Sequence, residues 1–422
     1  MTNPPFGFGP RSGDEGEDGP GGMDPFGGIF GAGATPADLG AALHQFADLL
    51  SYSGGPVNWD LAKQTALAAA GAQDPGTTAA ESAEVAEAVR LADLWLDPVT
   101  ALPSGVAAAE AWSRRRWVEA TLPIWAQLCD PVAGRVVDAM SGAMPAEMAS
   151  LAGPLAGVLR QVGGMMFGSQ VGSALGSLAG EVVSSTDIGL PLGPPGRAAL
   201  LPANVAAYGA GLEVAAEEVR LFLALREAAH HRLFGHVAWL RGHLVGLVHS
   251  YAAGITLDTE ALQSALAGLD PADPESLQQA LSGGMFEPEQ TPEQAAALHR
   301  LEGALALVEG WVDEVVAAAA GGPLPSANAL RETVRRRRAS GGPAEQTFAT
   351  LVGLELRPRR LREAAALWRH LLESRGVRGR DQVWAHPDLL PTSEDLDDPS
   401  GYGTGAPLDL SSLPDPGGSE EG

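Results

Sequence analysis

The sequence is short of cysteine, lysine and aromatic residues. Cys129 is the single cysteine among 422 residues, so the chain can form neither an internal disulfide nor a zinc site built on several thiolates. Lys63 is the single lysine, and aromatic residues make up only 5% of the chain. No basic stretch followed by an apolar run opens the sequence, which argues against a signal peptide. We therefore expect a reducing, cytoplasmic setting.

Positive charge is also scarce. The formal net charge is −25, and acidic residues concentrate at the two ends of the chain: residues 1–38 carry six against one arginine, and residues 387–422 carry nine and no base. Because phosphate binding needs a basic face, we expect no nucleic-acid partner. The two basic runs, Arg114–Arg116 and Arg335–Arg338, are interpreted as solvated helix faces or helix ends.

The composition divides the chain into three parts. Residues 1–38 and residues 387–422 are acidic and rich in glycine and proline, and such segments bury too little apolar surface to fold. We therefore predict two disordered acidic tails on either side of one domain at residues 39–386. The oligomeric state stays open at this stage.

The central domain is predicted to be mainly α-helical. Its apolar residues recur at helical spacing, and alternating β-branched runs are almost absent. A helix in "VNWDLAKQTALAAAG" is expected to begin at an Asn58 cap and to end at Gly71. The stretch "GVAAAEAWSRRRWVEATLPIW", residues 105–125, is predicted to form another helix over its whole length.

Glycines recur at every fourth position from Gly168 to Gly180 within a stretch that carries no charge. Such a ladder occurs in membrane helices that dimerise, and it also lets two helices approach closely in a protein core. The segment contains much Gly, Ser and Gln and few large apolar residues, which disfavours a membrane span. We predict instead that Gly172 and Gly176 face another helix at close range.

The stretch "LREAAHHRLFGH", residues 225–236, carries the candidate chemistry. Zinc peptidases use the frame His-Glu-x-x-His, in which both histidines bind zinc and the glutamate is the general base. Here Arg226 occupies the first ligand position, Glu227 the base position and His230 the second ligand position. Arginine has no lone pair for a metal. On a helix, however, Arg226 and His230 fall within an apolar stripe, where buried polar groups need partners.

Two residues are candidates for a third zinc ligand. His236 follows His230 at the spacing used by metzincins, although Leu233 stands where that motif has a glycine. Glu309, in "LALVEGWVDEVV", lies within the apolar stripe of its helix and is expected to be a buried carboxylate that needs a partner. Two histidines and one glutamate form a thermolysin-type site.

The alternative for this stretch is a histidine that is satisfied within the core. "LREAAALW", at residues 361–368, repeats the first five letters and has Ala366 where the first copy has His230. The repeated letters are good helix formers and need carry no chemistry. His231 is expected on a helix face or at the surface.

Several blocks together resemble the zincin-like metallopeptidase family, a branch of which is associated with coenzyme F420 biosynthesis. They are "NWDLAKQTA", "LREAAHHRLFGHVAWLRGHL", "LVEGWVDEVV", "GGPAEQTFATLVGLELRPRRLREAAALW" and "WAHPDLLPTSEDLDDP", and they lie within roughly residues 40–400. The resemblance implies a zincin-like helical domain, zinc as the cofactor and a peptide or protein as the substrate. By position it implies Glu227 as the general base, with His230 and Glu309 as zinc ligands. Arg226 departs from the family pattern.

Two functional hypotheses follow. In the first, the chain is a zinc-dependent metallopeptidase or hydrolase with zinc on His230, Glu309 and His236. In the second, it is a catalytically inactive binding or scaffold protein of the same fold, in which Arg226 takes the place of the metal and pairs with Glu309.

Overall fold

Helix dominates the computed structural model, which describes residues 55–71, 74–142, 152–254, 291–339 and 360–403. The prediction of a mainly α fold is confirmed. The α-helices of the described part are α1 Trp59–Gly71, α2 Ala79–Leu96, α3 Arg114–Gly142, α4 Ala152–Glu181, α5 Pro202–Gly209, α6 Ala216–His236, α7 Leu240–Ala253, α8 Pro292–Ala320, α9 Ala327–Ala339, α10 Leu361–Asp381 and α11 Ser393–Asp397. Two short strands, β1 Ala108–Ala111 and β2 Arg197–Leu200, pair in parallel.

The ends of α1 follow from local sequence. The side chain of Asn58 accepts a hydrogen bond from the backbone N–H of Leu61 at 3.0 Å, and the helix ends at Gly71. Both predicted limits are therefore confirmed. The next helix begins with a capping box, in which Thr78 and Glu81 exchange hydrogen bonds between side chain and backbone.

The predicted single helix over residues 105–125 is wrong in its first half. Ala108 to Ala111 form β1, and Trp112 continues the pairing by donating its backbone N–H to the carbonyl of Leu200 at 2.9 Å. Alanine favours a helix, but tertiary context overrides that weak preference. At Gly105 the backbone passes so close to α6 that a Cβ there would overlap the carbonyl oxygen of His231.

The glycine ladder brings α4 against α1. A Cβ on Gly172 would lie 2.5 Å from the carbonyl oxygen of Ala62, and one on Gly176 would lie 2.5 Å from Cβ of Ala69. The predicted close approach is confirmed at these two glycines, whereas Gly180 has no such neighbour within 4 Å.

Among the described helices, none combines the length and the apolar character that crossing a membrane requires.

Helices α6 and α8 form the centre of the core. They pack against each other, α2 covers α6, and α7 and α10 cover α8. Both central helices also bury charged side chains, namely Arg226, Glu227 and Arg232 on α6 and Glu309 and Asp313 on α8. Because buried charges need partners, these helices are where the fold builds its polar clusters.

The described chain continues beyond the expected domain boundary at residue 386. Leu396 on α11 is buried, and Asp397 forms an ion pair with Arg360 at the start of α10. The predicted disorder of residues 1–38, and that of the chain after residue 403, lies outside the described residues.

Candidate functional site

Three helices bring their charged side chains together at one buried carboxylate. Nη2 of Arg226 on α6 lies 2.5 Å from Oε2 of Glu309 on α8. Nη2 of Arg338 on α9 lies 2.9 Å from Oε1 of the same glutamate. Nε2 of His230, one helical turn after Arg226, lies 3.0 Å from that Oε1. We call Arg226, His230, Glu309 and Arg338 the Glu309 cluster.

The ring of His230 is held at both nitrogens. Nδ1 lies 2.9 Å from the carbonyl oxygen of Arg226 and, because a carbonyl can only accept, Nδ1 donates this hydrogen bond. Nε2 is directed at the Glu309 carboxylate. The ring is also stacked with Phe234, with centroids 6.0 Å apart. The histidine is thereby fixed as a partner of Glu309.

The Glu309 carboxylate is ionised and almost without solvent contact, its side chain being 1% exposed. Burial alone would raise the pKa of this carboxyl, but the charges of Arg338, Arg226 and His230 hold it far below its usual range. Two guanidinium groups therefore share one carboxylate inside the core, where ionic hydrogen bonds are strong and unpaired charges are costly.

The glutamate of the motif, Glu227, belongs to a separate cluster. It accepts hydrogen bonds from the hydroxyls of Ser185 and Thr186, the backbone N–H groups of Thr186 and Ala199, and Nε2 of His231. Burial would raise the pKa of Glu227, but the hydrogen bond and charge of His231, with the two hydroxyls, lower it to about 2. This carboxylate accepts five hydrogen bonds. They connect α6 to β2 and to the segment that precedes β2.

The residues present do not fit a zinc ion. Arg226 stands in the position of the first ligand and has no lone pair to offer. His230 and Glu309 remain, whereas catalytic zinc sites use three protein ligands. A dication beside Glu309 would also face the guanidinium groups of Arg226 and Arg338. Within the described part of the chain, no group of three or more His, Cys, Asp or Glu side chains could hold a metal.

His236 lies apart from the Glu309 cluster. It follows His230 by six residues, which places it about 240° further around the helix. It is exposed, and its Nε2 lies 3.0 Å from the carbonyl oxygen of Ser104. Of the candidate residues, the structure thus brings Arg226, His230 and Glu309 together and places Glu227 and His236 elsewhere.

Sequence reasoning missed Arg338 and the partners of Glu227. Arg338 was expected on a solvated helix face or at a helix end. It lies in the last turn of α9, but it is only 7% exposed because α9 packs it against Glu309. His231 was expected on a helix face or at the surface, and it too is buried. One signal in the sequence could have pointed to Arg338. Glu309 and Asp313 stand among apolar residues of α8, and buried acids need cations from a neighbouring element.

One solved structure supports the fold assignment. A crystal structure from Chloroflexus aurantiacus, described as a candidate hydrolase with a novel fold, superposes with a TM-score of 0.58 at 23% sequence identity. The match covers 82% of this chain and 97% of the other. At that identity the likeness concerns the fold alone. A search among curated proteins gave no significant match.

The family comparison covers most of the chain and both clusters. The family model of the zincin-like metallopeptidases matches residues 57–402, which run from the start of α1 to beyond α11. Zinc dependence is associated with this family in general. The matched region includes Arg226, Glu227, His230 and Glu309. The chain therefore belongs to the zincin-like metallopeptidase family.

Proposed function

We propose that this chain keeps the fold of the zincin-like metallopeptidases but works as a non-catalytic binding or scaffold protein. The observation that carries the proposal is the ion pair of Arg226 with Glu309, at 2.5 Å between Nη2 and Oε2. The guanidinium group holds the carboxylate that would otherwise be available to a metal. In this proposal, the fixed positive charge of the Arg226 guanidinium group replaces that of a zinc ion as the partner of Glu309.

The saturation of Glu227 supports the same proposal. A general base must accept a proton from water, and it needs a free lone pair directed at the reacting centre. Glu227 instead accepts five hydrogen bonds from the protein, and its pKa of about 2 makes it a weak base. Its arrangement is that of a structural anion.

The competing function is a zinc-dependent metallopeptidase or hydrolase. Family membership favours it, since zincin-like metallopeptidases are in general zinc-dependent. It would use His230 and Glu309 as ligands, His236 as the third, and Glu227 as the base. Under either function a peptide or protein is the expected partner and the cytoplasm the expected location. The net charge of −25 argues against nucleic acid.

Zinc content separates the two functions. The wild-type protein, purified without chelators, is analysed for zinc by elemental analysis and is assayed with a mixture of peptide substrates. We expect far less than one zinc per chain and no zinc-dependent cleavage. One zinc per chain, together with cleavage that a chelator abolishes, would establish the peptidase and overturn the proposal.

Variants of the Glu309 cluster sharpen the test. Arg226→His supplies a second imidazole one turn from His230, and Arg338→Met in addition removes the remaining guanidinium from Glu309. We expect zinc affinity to rise with the first change and to rise further with both. His236→Ala is the matched control, and under our proposal it leaves zinc affinity unchanged. A loss of bound zinc on His236→Ala would instead support the peptidase site.

A further inference from the structure

A small cavity adjoins the Glu309 cluster. It has a volume of about 20 Å³ and is lined by Arg226, Arg337, Arg338, Tyr208 and Asp187, together with two apolar side chains. We call it the Arg226 cavity. A single water needs roughly 10–15 Å³, so the space suits one water or one ion of similar size. Sulfate, phosphate and larger ligands do not fit this volume.

Tyr208 offers the cavity a hydroxyl without a partner. Its Oη is buried, and no hydrogen-bond partner for it lies within the described part of the chain. Burial raises the pKa of Tyr208, so the phenol keeps its proton at neutral pH and can donate it. A buried hydroxyl without a partner is costly, and in native proteins such groups are usually satisfied by water or an ion.

The charged groups around the cavity are mostly positive. Arg226 and Arg338 each direct Nη2 at Glu309, and the guanidinium carbon of Arg337 lies 5.6 Å from the centre of the Tyr208 ring. Three guanidinium groups and the carboxylate of Asp187 line the space, and Glu309 pairs with two of these guanidinium groups, so three positive charges stand against two negative ones. A concave site with one dominant sign of charge concentrates the electrostatic potential and attracts ions of the opposite sign.

The single acidic side chain of the lining is already engaged. Oδ2 of Asp187 accepts the backbone N–H of Val183 at 3.0 Å and lies 3.5 Å from Nη2 of Arg337. Of the other polar side chains of the lining, the three arginines can only donate hydrogen bonds, and the Tyr208 hydroxyl can both donate and accept. A water surrounded by donors would find few acceptors for its own two hydrogens, whereas an anion needs none.

We propose that the Arg226 cavity binds one small monovalent anion of the size of chloride, held by the Tyr208 hydroxyl and the guanidinium group of Arg226. The guanidinium groups of Arg337 and Arg338 supply further positive potential. This binding activity goes beyond the proposed function, and it is measured with halide rather than with zinc or peptide.

Halide-dependent stability tests the site. The melting temperature of the full-length protein is measured in sodium chloride, sodium bromide and sodium gluconate at equal ionic strength, since gluconate is too large for the cavity. A ligand that binds only the folded state raises the melting temperature in proportion to the logarithm of its concentration once the site saturates. We expect this rise with both halides and not with gluconate. Equal melting temperatures in all three salts would overturn the proposal.

Two further measurements place the effect at the cavity. Tyr208→Phe removes the donor hydroxyl and is expected to weaken halide binding at least tenfold, whereas Tyr402→Phe, which also removes a phenol hydroxyl, leaves it unchanged. An unaltered halide response in Tyr208→Phe would contradict the assignment. In crystals soaked with bromide, we expect an anomalous peak beside Arg226. A water there, with bromide only at the surface, would show that the cavity is a hydration site.

Discussion

Replacing Glu309 with glutamine tests the Glu309 cluster most directly. The change keeps the size of the side chain and removes its charge, so it leaves the guanidinium groups of Arg226 and Arg338 in the core without their shared carboxylate. The side chains of both arginines are 8% exposed, and little solvent can replace the lost partner. Because removal of one partner of a buried ion pair costs about 3–5 kcal/mol, we expect a loss of that size in the free energy of unfolding.

Urea titration is the suitable assay, since urea carries no charge and does not screen the ion pairs. Glu293→Gln, at an exposed position on the same helix, is the control and is expected to change stability by less than about 0.5 kcal/mol. Arg226→Met should cost less than Glu309→Gln, because Glu309 keeps Arg338 and His230. If the stability of Glu309→Gln stays within about 1 kcal/mol of the wild type, the carboxylate does not hold the cluster together.

Two further predictions concern helix packing and pH. Gly172→Ala is expected to destabilise by about 1–3 kcal/mol in urea titration because its Cβ would overlap α1. The matched Gly180→Ala should be neutral or stabilising, since it has space and alanine favours a helix; equal effects would contradict the close approach. Glu227 has a folded-state pKa of about 2 against an ordinary 4.5, so its stabilisation is complete above pH 4.5 and is lost as the pH falls towards 2. Between about pH 6 and pH 3 the wild type should lose about 2 kcal/mol more than Glu227→Gln. A control, Glu84→Gln, should retain the wild-type slope.

Local signals in the sequence predicted the structure correctly where that structure depends only on neighbouring residues. The cap at Asn58 and the end of α1 at Gly71 involve only adjacent turns of one helix, and they could be predicted. Strand β1 depends on pairing between Ala108–Ala111 and Arg197–Leu200, which are far apart in sequence. An alanine-rich stretch carries no local sign of such pairing, so the helical prediction failed there.

Residues of the candidate site could be predicted from the sequence where a charged or polar residue interrupts the apolar stripe of a helix. Arg226, His230 and Glu309 stand out because each lies within an apolar stripe on a helix, and a buried charge requires a partner. Arg338 gave no such signal, since it closes a run of four arginines that has the composition of a solvated face. Its burial depends on how α9 packs, and a single sequence does not encode that in any local pattern.

Glu309 and Glu227 are both buried and are both held by protein partners at the centre of the fold. Glu309 joins α6, α8 and α9 through two arginines and a histidine, and Glu227 joins α6 to β2 through hydroxyl and backbone donors. A zinc ion would have to displace guanidinium groups from Glu309, and Glu227 would have to give up hydrogen bonds to receive a proton from water. Each step would break contacts that hold the central helices in place. The contacts that join the central helices at these two carboxylates are therefore the same contacts that oppose zinc chemistry at this site. Restoring a histidine at Arg226 alone would leave both Arg338 and the donors of Glu227 unchanged.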